Sequence, residues 1–251
     1  MISKRLLTVL FLTCLRAAHG QAVSFDTATI RVSPVGAKGG EGENLTINPG
    51  GVSMRNVTLR FCVQWAYGLK PFQVGTPGWM ESDRYDIVAK SAGPVAAEQL
   101  RVMMQSLLAE RFKLTLHHET KEMSMYALLA GKKPKLQPAK GEGPGVMKPN
   151  GGALEFRNMT MAELAERLPA RPFGIGRPVV DQTELPGRYD FDLKLADNMV
   201  ELKSNLEKRE LEGDTSMFAS ALSSLGLKLE TQKGLVDTVV VDHAEKVPVE
   251  N

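Results

Sequence analysis

Gly151-Gly152 and Arg157-Asn158-Met159-Thr160-Met161, followed by Glu163, Leu164, Ala165 and Leu168, restate a stretch that lies about a hundred residues earlier in the chain. The earlier copy is Gly50-Gly51 and Arg55-Asn56-Val57-Thr58-Leu59, followed by Cys62, Val63 and Ala66. In both copies the apolar residues after the threonine recur at i, i+3, i+4 and i+7, which predicts a helix with one buried face. Thr160 with Glu163 three residues on is a capping box, in which the hydroxyl accepts from the helix and the carboxylate accepts from the cap. The glycines before each copy are expected to end a loop.

Working outward, the repetition continues. Arg84-Tyr85-Asp86-Ile87-Val88 recurs as Arg188-Tyr189-Asp190-Phe191-Asp192, and both favour an extended chain. Leu100, Met103, Met104, Leu107 and Leu108 predict a helix over residues 96–112, matched by Phe218, Ala221, Leu222 and Leu225 ahead of Gly226. Each helix leads into an alternating segment, 113–116 and 227–230, and then into a further strand, 125–130 and 239–241. With a first strand over 25–32 and a short one around Leu45 and Ile47, the fold class is α+β. Two related halves are expected, each strand-helix-strand-helix-strand-strand, with mixed or mainly antiparallel sheets.

The expected boundaries are a signal peptide at 1–20, a first half at 21–130, a linker at 131–152 and a second half at 153–251. Glycine, proline and lysine dominate 131–152, a composition poor in anything to bury. A charged insert at 198–214 distinguishes the second half and predicts an exposed helix or an excursion.

Lys4 and Arg5, the apolar run Leu6 to Leu15, and Ala18-His19-Gly20 ahead of Gln21 read as a secretory signal. The run is shorter than the ~20 residues a spanning helix needs, so no transmembrane span is expected once the signal is cleaved. Retention as an anchor, and lipidation at Cys14, are the weaker alternatives. After cleavage Cys62 is the only cysteine left, and packing must supply the stability that a disulfide would otherwise add. The 31 basic and 29 acidic residues are interspersed, giving a net charge of +2 that excludes a surface built for nucleic acid.

Catalytic patterns are absent. There is no phosphate-cradling glycine loop, no Gly-x-Ser-x-Gly and no paired-cysteine metal site, so no cofactor and no metal are expected. His117 and His118 are neighbours on a strand and point to opposite faces. Cys62, His243 and Asp242 could form a nucleophilic grouping, but Cys62 lies on the apolar face of its helix and reads as an inert core thiol. Asn44, Asn56 and Asn158 each begin an Asn-x-Thr triplet, two of which already serve helix caps. Trp65, Tyr67 and Trp79, joined by Phe72, have almost no aromatic counterpart in the second copy. They mark a possible ligand groove, against the commoner role of core packing.

Several stretches together resemble a known set of proteins. They are Trp79, Tyr85-Asp86-Ile87, Leu108 to Leu114, His118 to Glu122, Tyr126-Ala127-Leu128, Asp181-Gln182-Thr183, Tyr189-Asp190-Phe191, Leu225 to Glu230 and Asp242 to Glu245. The chain resembles the soil-associated acidobacterial family of uncharacterised exported proteins over nearly its whole mature length. The resemblance implies export to the periplasm or beyond. In some members of that family a similar module is attached to a membrane metallopeptidase like the antibiotic-sensing receptors, which implies an extracytoplasmic sensing or binding role. The expected function is therefore a non-catalytic binding module of the cell envelope with an unknown envelope ligand or protein as partner. A hydrolase with an unrecognised site and a structural envelope protein are the alternatives.

Overall fold

The computed structural model describes residues 24–34, 44–170, 172–198, 200–201, 204–205 and 216–249. The expected signal peptide and most of the charged insert lie outside the described residues. The class is α+β, and the strands form three four-stranded sheets, two antiparallel and one mixed.

The first sheet contains β1 (Thr27–Val32), β2 (Leu45–Asn48), β3 (Gly51–Thr58) and β5 (Arg84–Lys90), in the order β1-β5-β3-β2. Helix α1 (Leu59–Tyr67) leaves directly from β3, because the Thr58 hydroxyl accepts from Phe61 N at 3.1 Å and caps the first turn. Gly68, at φ 67°, closes it in the left-handed region. Helix α2 (Ala97–Arg111) packs against α1, and its stripe from Leu100 to Leu108 is buried.

A second four-stranded sheet has an analogous strand order, built from later residues. Strands β7 (Gln137–Pro138), β8 (Val146–Asn150), β9 (Ala153–Met159) and β11 (Tyr189–Lys194) pair as β7-β11-β9-β8. Helix α3 (Met161–Arg167) follows β9 through the expected capping box. Glu163 N donates to the Thr160 hydroxyl at 3.0 Å, and Thr160 N donates to Glu163 Oε2 at 2.8 Å. Helix α4 (Ser216–Ser224) corresponds to α2.

Three features differ from the sequence expectation. Residues 131–152, expected as a linker, supply the edge strands β7 and β8. Their order comes from main-chain pairing to β11 and β9, with Leu136 and Met147 partly buried against the second core, so composition alone understated it. The glycine pairs also do more than end a loop. Gly51 and Gly152 sit against neighbouring backbone, where an added Cβ would stand 2.2 Å from the Ala89 carbonyl oxygen and 2.1 Å from that of Ala196.

The third difference is larger. The two strands expected at the end of each half are one continuous strand, β6 (Thr115–Ala130) in the first and β12 (Leu227–His243) in the second. The charged middles, such as Glu119 to Glu122, lack an alternating pattern because the ribbon they form is exposed there. Cross-strand pairs hold them, including Thr120 Oγ1 to Asp237 Oδ1 at 2.9 Å and Lys233 Nζ to Glu122 Oε2 at 3.2 Å. β6 and β12 pair antiparallel along their whole length, and two short parallel strands flank them. β4 (Val74–Gly75) lies beside β12 and β10 (Val179–Asp181) beside β6.

This ribbon interlocks the cores. The start of β6 and the end of β12 contribute Leu116 and Val241 to the first core, while Leu128 and Leu227 belong to the second. The tail beyond β12 stays with the first half: Glu245 N donates to Phe112 O at 2.7 Å and Val249 N to Arg111 O at 2.8 Å.

Candidate functional site

Where the two halves meet, the end of α1 faces the segment between α3 and β10 across a cleft of about 650 Å³. Phe61, Gln64 and Trp65 on α1 form one wall, Leu69 to Pro71 continue it, and Arg101 reaches in from α2. Pro169, Ala170, Gly174 and Gly176 form the facing wall. Lys70 crosses between the halves, its ammonium donating to the Glu166 carbonyl at 2.6 Å.

In the last turn of α1 the Trp65 carbonyl takes only the long cap bond from Gly68 N at 3.3 Å, and α2 supplies further donors there. Arg101 donates to Trp65 O at 2.7 Å, and Gln105 Nε2 to Ala66 O at 2.8 Å. That bond holds the Arg101 guanidinium over the Trp65 ring, 5.5 Å from its centroid. Trp65 is 8% exposed, so it offers the cleft only a small part of its surface. Among the described residues that line the cleft, the charged ones are Arg101 and Lys70.

Of the three aromatics marked in the sequence, Trp65 alone lines this cleft. Tyr67 is half-buried against the first core, and burial raises the pKa of its phenol. Trp79 lies in a short 3-10 turn, Gly78–Glu81, and is covered by the tail, with Lys246 Nζ 5.4 Å from its ring centroid. The structure thus does not gather the three into one groove. The residues that complete the cleft went unmarked. Arg101 lies beside the apolar stripe of α2, and Gly174 and Gly176 carry no side chain to signal a site, although their φ values of 56° and 68° set the curve of the facing wall.

The nucleophilic grouping is not assembled. Cys62 is fully buried, its sulfur 3.8 Å from Met54 Sδ. Asp242 instead meets His117, whose Nδ1 lies 2.7 Å from Asp242 Oδ1 on the exposed ribbon, while His243 stands opposite Thr115. The Asn-x-Thr triplets have structural explanations in two cases, since Asn56 and Asn158 are only 5% and 7% exposed. Both hold positive φ at a bulge, where asparagine is tolerated better than most side chains. Among the described residues, no group of three His, Cys, Asp or Glu side chains gathers at metal-binding distance, and no helix is long and apolar enough to cross a membrane.

A family model described as a protein of unknown function, DUF3738, matches residues 60–244, well over half of the chain. The chain belongs to the DUF3738 family. The span matched by that family includes the cleft residues from Phe61 to Gly176 and both long strands. No curated protein and no solved structure matches.

Proposed function

We propose that this DUF3738 protein is an exported, non-catalytic binding module of the cell envelope, and that the cleft between its halves receives the ligand. The carrying observation is the cleft itself, about 650 Å³ in volume and walled by residues of both halves. That volume falls in the range of about 300–1,000 Å³ typical of small-molecule sites. Export is supported by the basic, apolar and small-residue pattern of residues 1–20. The likeness to exported acidobacterial proteins, some attached to sensor-type metallopeptidases, supports a sensing context. The alternative, a hydrolase with an unrecognised site around His243 or His118, has only those histidines behind it, since Cys62 is enclosed in the first core.

Purified protein titrated with lipid, peptide and glycan fractions of a bacterial envelope tests the reading. At least one fraction is expected to raise the melting temperature saturably, and Ala170→Phe, which fills the cleft, is expected to abolish that rise. No response to any fraction overturns the binding role. A response that Ala170→Phe leaves unchanged moves the site elsewhere.

A further inference from the structure

Resting on that reading, we propose that the cleft takes a small apolar molecule bearing one carboxylate, with Arg101 as the residue that receives the charge. Phe61, Leu69, Pro71, Pro169 and Ala170 offer an apolar lining, and the charged groups among the lining residues are both cations. Lys70 is partly neutralised, since Glu166 Oε1 stands 3.9 Å from its ammonium. Among the described residues Arg101 pairs with no carboxylate and makes its hydrogen bond to a main-chain oxygen. A guanidinium carries more N–H donors than that one bond uses, in a fork that matches a carboxylate. Its position is fixed from two sides, by the Trp65 carbonyl and the Trp65 ring, so little order need be added on binding.

The same geometry disfavours other ligands. A sugar stacks on an open aromatic face, and Trp65 is 8% exposed with Arg101 above its ring. A polyphosphate calls for several converging cations and a polar wall.

Trp65 and Trp79 are the only two tryptophans, so Trp79→Phe leaves Trp65 as the sole reporter of the cleft. In that background, dodecanoate below its micellar concentration is expected to shift Trp65 emission saturably, and dodecanol to bind at least tenfold more weakly, as loss of a charge-assisted hydrogen bond implies. Arg101→Gln should weaken dodecanoate about tenfold or more while leaving dodecanol unchanged, and Arg101→Lys should keep part of the affinity because the cation remains. Far-UV circular dichroism of both variants checks that α1 and α2 persist. Equal binding of acid and alcohol, insensitive to Arg101→Gln, overturns the carboxylate assignment while leaving the cleft a binding site. Absence of any saturable Trp65 response to either probe overturns the inference outright, and the envelope-fraction titration then judges the binding role separately.

Discussion

Asn56 and Asp86 face each other across a bulge in the first sheet, where the Asn56 main-chain N–H donates to Asp86 Oδ1 at 2.7 Å. Arg84 closes the same unit by donating to Asn56 O at 2.9 Å. In the second half Asn158 donates to Asp190 Oδ1 at 2.8 Å and Arg188 to Asn158 O at 2.6 Å. The asparagines stand at φ 52° and 53°. Each bulge sets two residues against one and turns the strand toward its helix. Repeated Arg-Asn-x-Thr and repeated Arg-Tyr-Asp are therefore two sides of one device.

Removing the carboxylate strands a buried N–H. Asp86→Ala and Asp190→Ala are each expected to destabilise by about 1–3 kcal/mol in urea unfolding. Asn56→Gly and Asn56→Val both remove the buried amide, and only valine is strained at positive φ, so Asn56→Val should cost about 1 kcal/mol or more beyond Asn56→Gly. Equal costs for Gly and Val would show that the φ value is not what selects asparagine.

The glycine pairs separate contact from conformation. An added Cβ at Gly152 meets the Ala196 oxygen at 2.1 Å, whereas Gly151, at φ 59°, has nothing within 4 Å. Gly152→Ala is expected to cost about 1–3 kcal/mol from forced backbone movement, and Gly151→Ala only about 1 kcal/mol from its positive φ. Gly51→Ala should cost more than Gly152→Ala, because Gly51 combines its close approach to Ala89 with a φ of 149°. Denaturant midpoints of the three variants check the ranking.

Glu163 carries a pH dependence that the first half lacks, because Phe61 occupies the matching position of α1. The Thr160 main-chain N–H chiefly, and Arg188 after it, hold the Glu163 carboxyl below its ordinary pKa. A carboxylate depressed in the folded state stabilises above the unfolded pKa, and that contribution is lost as pH falls through the folded value. Glu163→Gln should cost under about 1 kcal/mol near neutral pH, given the partial exposure of the ion pair, and flatten the acid limb of a melting-temperature profile. An unchanged acid limb would assign it to other groups.

Tyr85 gives the opposite sign. Its hydroxyl donates to Lys246 O at 2.8 Å, and burial first, with Asp83 and Cys62 after it, pushes its pKa up to about 12. The protonated phenol is favoured in the fold, so its contribution is full below the unfolded value and is lost as pH rises through about 12. Tyr85→Phe is expected to cost about 1 kcal/mol at neutral pH and to remove that alkaline loss. Stability at neutral pH equal to the parent would mean that the tail is held without the Tyr85 hydroxyl, by bonds such as Arg111 Nη1 to Val249 O at 2.7 Å.

The helices were legible because caps and apolar stripes are local signals: Thr160 with Glu163, and the run Leu100 to Leu108, needed no tertiary context. Strands β7 and β8 were not, because Pro138 and Pro149 suggest a loop and the ordering comes from distant partners. The continuity of β6 and β12 was hidden for the same reason, since charges on both faces carry no alternating pattern. For the cleft, aromatic content pointed to Trp65 and also to Tyr67 and Trp79, which serve the core and the tail. Arg101, Pro169, Ala170, Gly174 and Gly176 came to share a cleft with Trp65 only through the interlocking of the halves.

That interlocking predicts how the chain unfolds. Both tryptophans belong to the first half, while Leu227 is buried in the second core at the start of β12, whose far end places Val241 in the first. If the halves were independent, Leu227→Ala would lower the transition seen by far-UV circular dichroism and leave tryptophan emission at its parental midpoint. Because β6 and β12 pair throughout and each enters both cores, loss of the second core removes strands that the first requires. Leu227→Ala is therefore expected to destabilise by about 2–5 kcal/mol with both probes moving together, and Val241→Ala to do likewise at smaller cost from the opposite end. Separate midpoints in the Leu227→Ala protein would show that the ribbon joins the halves without coupling them.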